Sequence, residues 1–531
     1  MQSYLRLIYL SRMQCVLRLS FVFLFLHHYS YCQNYTFQKL YGTSEYDGNC
    51  LVQCTDGSFL CAGSKYEGGD YDLFVIKTTS DGEILWSKIY SAFDTMLYPI
   101  QIVLCKNDEF AIAAIYDRNL QIDDRDFCLI RFDEGGNIEW SKLYGGEHFD
   151  DPRSLAYLPD NGFVGLGYTN SFGSSLDIFL FRVDSSGNYV WSNELGEANR
   201  DEWSSEVKVL TDGSIIVFGQ SDIRSVEIAK FEYDGTLVWN KDFDFTHQII
   251  PWSMDVSYDK SIYVVGVWEE DILPNVISPF LIKFDSSGNI LWHKHYLSND
   301  FNASESFVVK ATRDMGAIIN LDVQALIPNF INVGLLKVDK DGVTEWAKAY
   351  SIYQGSYPRD LITTNDGGYA VSGFSNAQAY FLKTDQDGNT GCSDSSLSFF
   401  TIDTATVSET TFGIISDGGN VKDVALTEMI SLLDIDTLCE NEIALNSTND
   451  LDNNHKVILY PNPSEETLIV QSEDRIIDIA IISMVGQTIF SLASVFTSRI
   501  EIPLEHVPSG AYHLRAKTLN GYEILPFIKT N

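Results

Sequence analysis

Positive charge is scarce in this sequence: 36 lysines and arginines stand against 73 aspartates and glutamates in 531 residues, a net charge of −37. A surface that acidic repels phosphate backbones and anionic lipid, which argues against nucleic acid as a partner. It suits solubility outside a cell and attracts cations or basic partners. Long apolar runs are also missing. After "FVFLFL" (21–26) nothing approaches the roughly 18 apolar residues of a membrane-spanning helix. The usual catalytic spacings are absent as well: there is no His-Glu-x-x-His, Gly-x-Ser-x-Gly, P-loop or dinucleotide glycine fingerprint. Ser205 and Lys208 fit Ser-x-x-Lys, but on a predicted strand positions i and i+3 face opposite ways. The histidines are scattered, so no catalytic residue, metal ligand or cofactor is assigned.

Cysteines are few and odd in number. Outside the N-terminal segment, which holds Cys15 and Cys32, seven remain: Cys50, Cys54, Cys61, Cys105, Cys128, Cys392 and Cys439. An odd count excludes a complete intramolecular set. Cys61 and Cys128 fall in predicted strands and read as small buried apolar residues. Cys392 and Cys439 bracket the segment after the repeats and form the candidate disulfide of an exported chain. The N-terminus has the layout of a secretory signal: Arg6, Arg12 and Arg18, then the short apolar run, then "HHYSYCQ". Residues 1–32 are therefore read as a signal peptide with cleavage near Cys32 or Gln33. A start at Met13 would give a more typical length. Acylation at Cys32 is disfavoured, because "YSYC" lacks the usual Leu and small residues.

What the chain does have is a repeat. Seven hairpins align on one basic residue: Lys77, Arg131, Arg182, Lys230, Lys283, Lys337 and Lys383. Five positions later stands a glycine in every copy, Gly82 to Gly388. Nine positions later come Trp86, Trp140, Trp191, Trp239, Trp292 and Trp346, then Cys392 in the last copy. Turns such as "DSSGN" and "DKDGV" need a residue at positive φ, which Gly supplies, and an Asp that bonds its own backbone. A calcium loop would need a Gly at its sixth position and a distal Glu, and neither is present. A second polar turn and β-rich run precedes each hairpin, for example "TDGSFLCAG" (55–63). Four strands per unit of about 51 residues predict a seven-bladed β-propeller over 33–393. The last unit lacks an outer strand, and Phe37, Lys39 and Tyr41 repeat the spacing of Trp86, Lys88 and Tyr90. The N-terminal strand should therefore close the ring, with Phe37 in the Trp slot, and the Trp row should be blade packing. The Asp-x-x-Gly-x-x-x-Trp phrase resembles the repeats of quinoprotein-type and outer-membrane assembly propellers; that resemblance implies blade packing and no cofactor.

Residues 394–456 are read as an irregular segment ending in a polar linker. The tail, 457–531, is β-rich again. Its "YPNP" (Tyr460, Pro461, Asn462, Pro463), "MVGQTIF" with Gly486, "HVPSGAY" with Pro508, Gly510 and Tyr512, and closing "GYEILPFIKT" resemble the C-terminal sorting domain of the type IX secretion system of Bacteroidota. Val507 stands where that family commonly has Leu. The resemblance implies a small Ig-like β-sandwich handled by the outer-membrane translocon, with the passenger released or held at the cell surface.

Function should lie in loops that do not align, such as "YEGGDYD" (66–72), "DRNLQIDDRD" (117–126) and "WEEDILPN" (268–275). In a propeller these share one face with the loops between blades, giving an expected acidic and aromatic face. Tyr98, Arg153, Trp203, Trp252, Tyr357 and Arg359 should stand near its channel mouth. Three functions stay open: a binding or adhesion passenger for a glycan, protein or cation; a secreted hydrolase or lyase with a carboxylate pair; and a structural envelope component.

Overall fold

The computed structural model describes residues 34–530 with breaks, of which the longer are 119–124, 270–276, 326–330, 351–355, 411–419 and 444–456. The expected signal peptide, Pro461, Asn462, Pro463, Gly486 and much of the loops 117–126 and 268–275 lie outside the described residues.

Each repeat builds one twisted antiparallel sheet, and the turn chemistry shows why. In the hairpin after Lys283, Asp285 Oδ1 accepts the N–H groups of Ser287 (2.8 Å) and Asn289 (2.9 Å), and Gly288 holds φ at +75°. Asp133, Asp184, Asp339 and Asp385 repeat the arrangement. The aligned basic residue braces the other turn of its own blade: Lys383 pairs with Asp366 (2.7 Å) and Lys337 with Asp314 (2.6 Å). The Trp reaches across to the next blade. A methyl group added at Gly288 would sit 2.7 Å from the Trp239 ring, and Gly136, Gly187, Gly235, Gly342 and Gly388 lie equally close under the preceding Trp.

Seven blades follow: 46–91, 96–145, 150–195, 203–245, 248–297, 301–350, and 356–384 completed by Asn34–Tyr41. The N-terminal strand pairs antiparallel with the third strand of blade 7, Phe37 opposite Lys383 and Tyr41 opposite Ala379. Phe37 packs on Gly82 as the tryptophans pack on their glycines, and Tyr41 donates to Gly82 O at 2.7 Å. The fold is thus the predicted seven-bladed propeller closed by its N-terminal strand. Seven apolar clusters fill its seams, one between each pair of neighbouring blades.

Residues 394–443 are not the irregular segment expected. They run back around the propeller and add a fifth, antiparallel strand to the outer edge of one blade after another. Asp394–Ser396 joins blade 6, Phe400–Ile402 blade 5, Val407–Thr410 blade 4, Asn420–Asp423 blade 2, Thr427–Ile430 blade 1 and Ile435–Ile443 blade 7. Blade 3 is four-stranded among the described residues. Between rungs, Leu397 and Phe399 pack on the seam of blades 5 and 6, and Val424 and Leu426 on that of blades 1 and 2. A strand edge left open invites pairing with another chain, and this belt covers the edges. Cys392 and Cys439 are joined by a disulfide with Cα atoms 6.1 Å apart, so the belt leaves blade 7, circles the molecule and is locked to its own start.

The tail forms a separate β-rich region. One long strand, Thr467–Ser483, pairs through its first half with Val457–Tyr460 and Thr497–Pro503, and through its second half with Thr488–Leu492 and Gly510–Thr518. Val470, Ile479, Leu514 and Phe527 are among its own core. Tyr512 stacks on Phe527 and donates to Pro508 O at 2.7 Å, while Tyr460 donates to Gln471.

Candidate functional site

The innermost strand of six blades carries a one-residue bulge at the same level: Asn49, Ile100, Arg153, Ser205, Trp252 and Arg359 are skipped in the pairing. In four of them a proline precedes the skipped residue (Pro99, Pro152, Pro251, Pro358), a residue with no N–H to give to a ladder. The bulges re-aim side chains toward the channel. They line a cavity of about 210 Å³ to which every blade contributes two residues, blade 6 through Val308 and Lys310.

Just behind the bulges, side chains fasten each blade to the next. Gln101 accepts Leu155 N–H (2.7 Å), Ser154 accepts Val207 N–H (3.1 Å), Glu206 accepts Met254 N–H (2.7 Å) and Ser253 accepts Val309 N–H (3.3 Å). Asp360 accepts Leu51 N–H at 2.9 Å, and Ile102 N–H approaches the Cys50 sulfur. The chain of bonds breaks only where Val308, an apolar residue, faces blade 7, and there Leu361 N–H turns to Asp360 of its own strand (2.8 Å).

Both carboxylates of the lining are therefore engaged. Glu206 also pairs with Lys208 (2.5 Å), and although burial opposes it, Lys208 and Lys310 hold its carboxyl below the usual range. Burial raises Asp360, against the pull of Lys310. The cations are less committed. Arg153 bonds Tyr168 OH and Asp151 (3.2 Å), Arg359 lies 5.1 Å over the Phe374 ring, and Lys310 has no ion pair among the described residues. The cavity departs from the acidic character expected of this face.

Of the six residues named from the sequence, Arg153, Trp252 and Arg359 meet in this cavity. Tyr98, Trp203 and Tyr357 stand two residues earlier on their strands and do not line it; Tyr357 stacks on Phe374 and Tyr98 packs edge-on to Tyr71. Sequence reading missed the bulge ring. Its signal was present: each of the four prolines lies eleven residues before the first residue of the second strand.

Two other features compete for attention. A larger cavity, about 390 Å³, opens at the hairpin end between blades 6 and 7, but there Lys337 already pairs with both Asp314 and Glu345. In the seam of blades 3 and 4, Asp177, Glu194, Glu202, Glu227 and Asp242 are all buried, with Arg200 the cation among them. Burial and then Glu227 push Glu202 up to about 8; burial, with Asp242 adding to it, pushes Glu227 up to about 7. No group of three or more His, Cys, Asp or Glu among the described residues is arranged to hold a metal ion.

Residues 458–529 match the family described as "Secretion system C-terminal sorting domain". This is a β-propeller protein with a type IX sorting tail. The tail implies a secreted or cell-surface protein handled by the type IX system, and no helix of the described residues is long and apolar enough to cross a membrane. No match is found among curated proteins. Solved structures similar to the sorting-tail propeller include a gluconolactonase from Xanthomonas campestris (12% identity, 52% of this chain and 90% of that one, TM-score 0.29). Others are Sqt1 of Chaetomium thermophilum (10%, 66% and 97%, TM-score 0.38) and a protein of unknown function from Dyadobacter fermentans DSM 18053 (11%, 66% and 98%, TM-score 0.39). At these scores none carries an argument about activity.

Proposed function

We propose that the protein is a binding passenger: its signal peptide and sorting tail deliver a propeller to the cell surface or medium, where the channel mouth takes a ligand. The boundaries we assign are 1–32 for the signal, 34–443 for the propeller with its belt, and 457–531 for the tail. The observation that carries the reading is the bulge ring. Six blades present five kinds of side chain at one bulge level (Asn49, Ile100, Arg153, Ser205, Trp252 and Arg359), and blade 6 adds Val308 and Lys310, around one open cavity. Uniform packing needs no such variety; recognition does.

The carboxylate-pair reading has less support. Glu206 and Asp360, the carboxylates of the lining, accept backbone N–H groups, which ties their oxygens to holding blades together. The test is to purify the exported chain, screen it against a glycan array and extracellular proteins, and assay the same preparation against a polysaccharide panel. A reproducible ligand lost in Trp252→Ala supports binding. Turnover of a polysaccharide would overturn it in favour of a hydrolase or lyase, and no ligand at all would favour a structural envelope component.

A further inference from the structure

We propose that the ligand of the channel mouth is an acidic saccharide, with a uronate carboxylate held by Arg153, Lys310 and Arg359 and the sugar ring laid on Trp252. This deepens the binding reading and rests on it.

The charge pattern comes first. Three cations line the cavity against two carboxylates, in a chain whose net charge is −37. The two carboxylates are occupied, Glu206 by Lys208, Ser253 and Met254 N–H, and Asp360 by the N–H groups of Leu51 and Leu361. The cations are not matched in the same way. Lys310 makes no hydrogen bond or close ion pair among the described residues, its charge acting at longer range on Glu206 and Asp360, and Arg359 has the Phe374 ring beneath it and the Asp47 carboxyl within electrostatic reach. Arg153 uses Nε and Nη2 on Asp151 and Tyr168, so its Nη1 donors remain. Donors left over around one cavity ask for an anion, and guanidinium groups suit the flat, two-oxygen carboxylate. Three cations gathered in one recess of an otherwise acidic molecule also give an anion a local point of attraction.

The remaining lining selects among carboxylates. Trp252 is 45% exposed beside the cations, an apolar face with no ring stacked on it among the described residues. Asn49 is 8% exposed, and its Oδ1 is buried with no hydrogen-bond partner while Nδ2 donates to Pro99 O. A buried acceptor without a donor favours a ligand that brings hydroxyl groups. Cation, apolar plate and hydroxyl acceptor together describe a sugar acid better than an acidic peptide, whose side-chain carboxylates carry no hydroxyl. At about 210 Å³ the recess holds one such unit, leaving neighbouring sugars of a chain outside it.

The experiment is titration calorimetry on the intact exported chain with trigalacturonate and an alginate oligomer. Controls are methyl-esterified trigalacturonate, neutral galactotriose and poly-glutamate. A uronate oligomer should bind; esterification, Arg153→Ala or Arg359→Ala should each weaken it about tenfold or more. Circular dichroism and an unchanged melting temperature exclude misfolding of the variants, and Arg359→Lys should restore part of the affinity. Equal affinity for the ester or the neutral sugar overturns the carboxylate assignment; equal affinity for poly-glutamate overturns the sugar. In either case, binding still lost in Trp252→Ala leaves the binding reading standing. Uronate binding unmoved by both arginine variants overturns the location. No affinity for any probe overturns this inference, while a ligand found by the wider array screen would keep the binding reading.

Discussion

The two ends of the propeller treat charge and repetition in opposite ways. At the hairpin end the blades repeat one turn: in five of them an Asp accepts backbone N–H groups, and Arg131, Arg182, Lys337 and Lys383 each brace a carboxylate of the blade's other turn. At the mouth end no two adjacent blades offer the same side chain, cations are left without full partners, and acids are buried together between blades 3 and 4. The difference teaches where the chain is free to vary. The glycine under a neighbouring ring recurs in all seven hairpins; a residue that faces the channel answers to no such rule.

That contrast can be broken or sharpened by measurement. The largest effect should come from the frame that both ends share. Removing the disulfide with Cys392→Ser and Cys439→Ser opens a closure of 47 residues, a loss of about 4 kcal/mol by loop entropy. Denaturation should show it, and limited proteolysis should cut within 394–443. At the hairpin end, Gly288→Val forces a branched side chain to φ +75° and into Trp239, at a cost of about 3 kcal/mol in a denaturant midpoint. A neutral outcome there would mean the repeat is not packing. At the mouth, Glu206→Ala strips the acceptor from Met254 N–H and leaves Lys208 facing Asp255 at 3.7 Å, which should cost about 2 kcal/mol.

The buried acids should show in the pH dependence. Glu202 and Glu227 titrate higher in the fold than the ordinary value of 4.5, near 8 and 7. Their protonated forms favour the folded state, so the contribution is full below about pH 4.5 and is lost as pH rises through 7 and 8. The double variant Glu202→Gln, Glu227→Gln should therefore melt at least about 3 °C above wild type at pH 8.5 and match it at pH 4.5. Smallest of all, Trp252→Ala should change stability by less than about 0.5 kcal/mol, because the ring is half exposed and packs on no seam. A large loss would place Trp252 with the hairpin tryptophans and erase the contrast.

Much of the fold was legible because turns punish variation. Gly288 cannot become another residue without striking Trp239, and the Gly stands in all seven copies and the Trp in six. Phe37, Lys39 and Tyr41 betrayed ring closure for the same reason. The belt was hidden because its rungs are three to nine residues long and take their regularity from the blades they join; "DSS" and "FTI" carry no period of their own. The site was half legible. Arg153, Trp252 and Arg359 could be placed near the channel from loop order alone. That Glu206 and Asp360 hold blades together depends on which backbone N–H each side chain meets, and that is set by a bulge one residue wide.

The disulfide-locked belt also sets a timetable. The first described strand, Asn34–Tyr41, lies between Gln378–Thr384 and Ile435–Ile443, and Thr36 donates to the carbonyl of Thr390, 354 residues away. The earliest part of the passenger to emerge from synthesis must wait unpaired until almost the last part has arrived. Contacts that distant make ring closure slow. Once Cys439 meets Cys392, the chain becomes a hoop around its own blades, and a proteolytic nick between blades would leave the pieces held together.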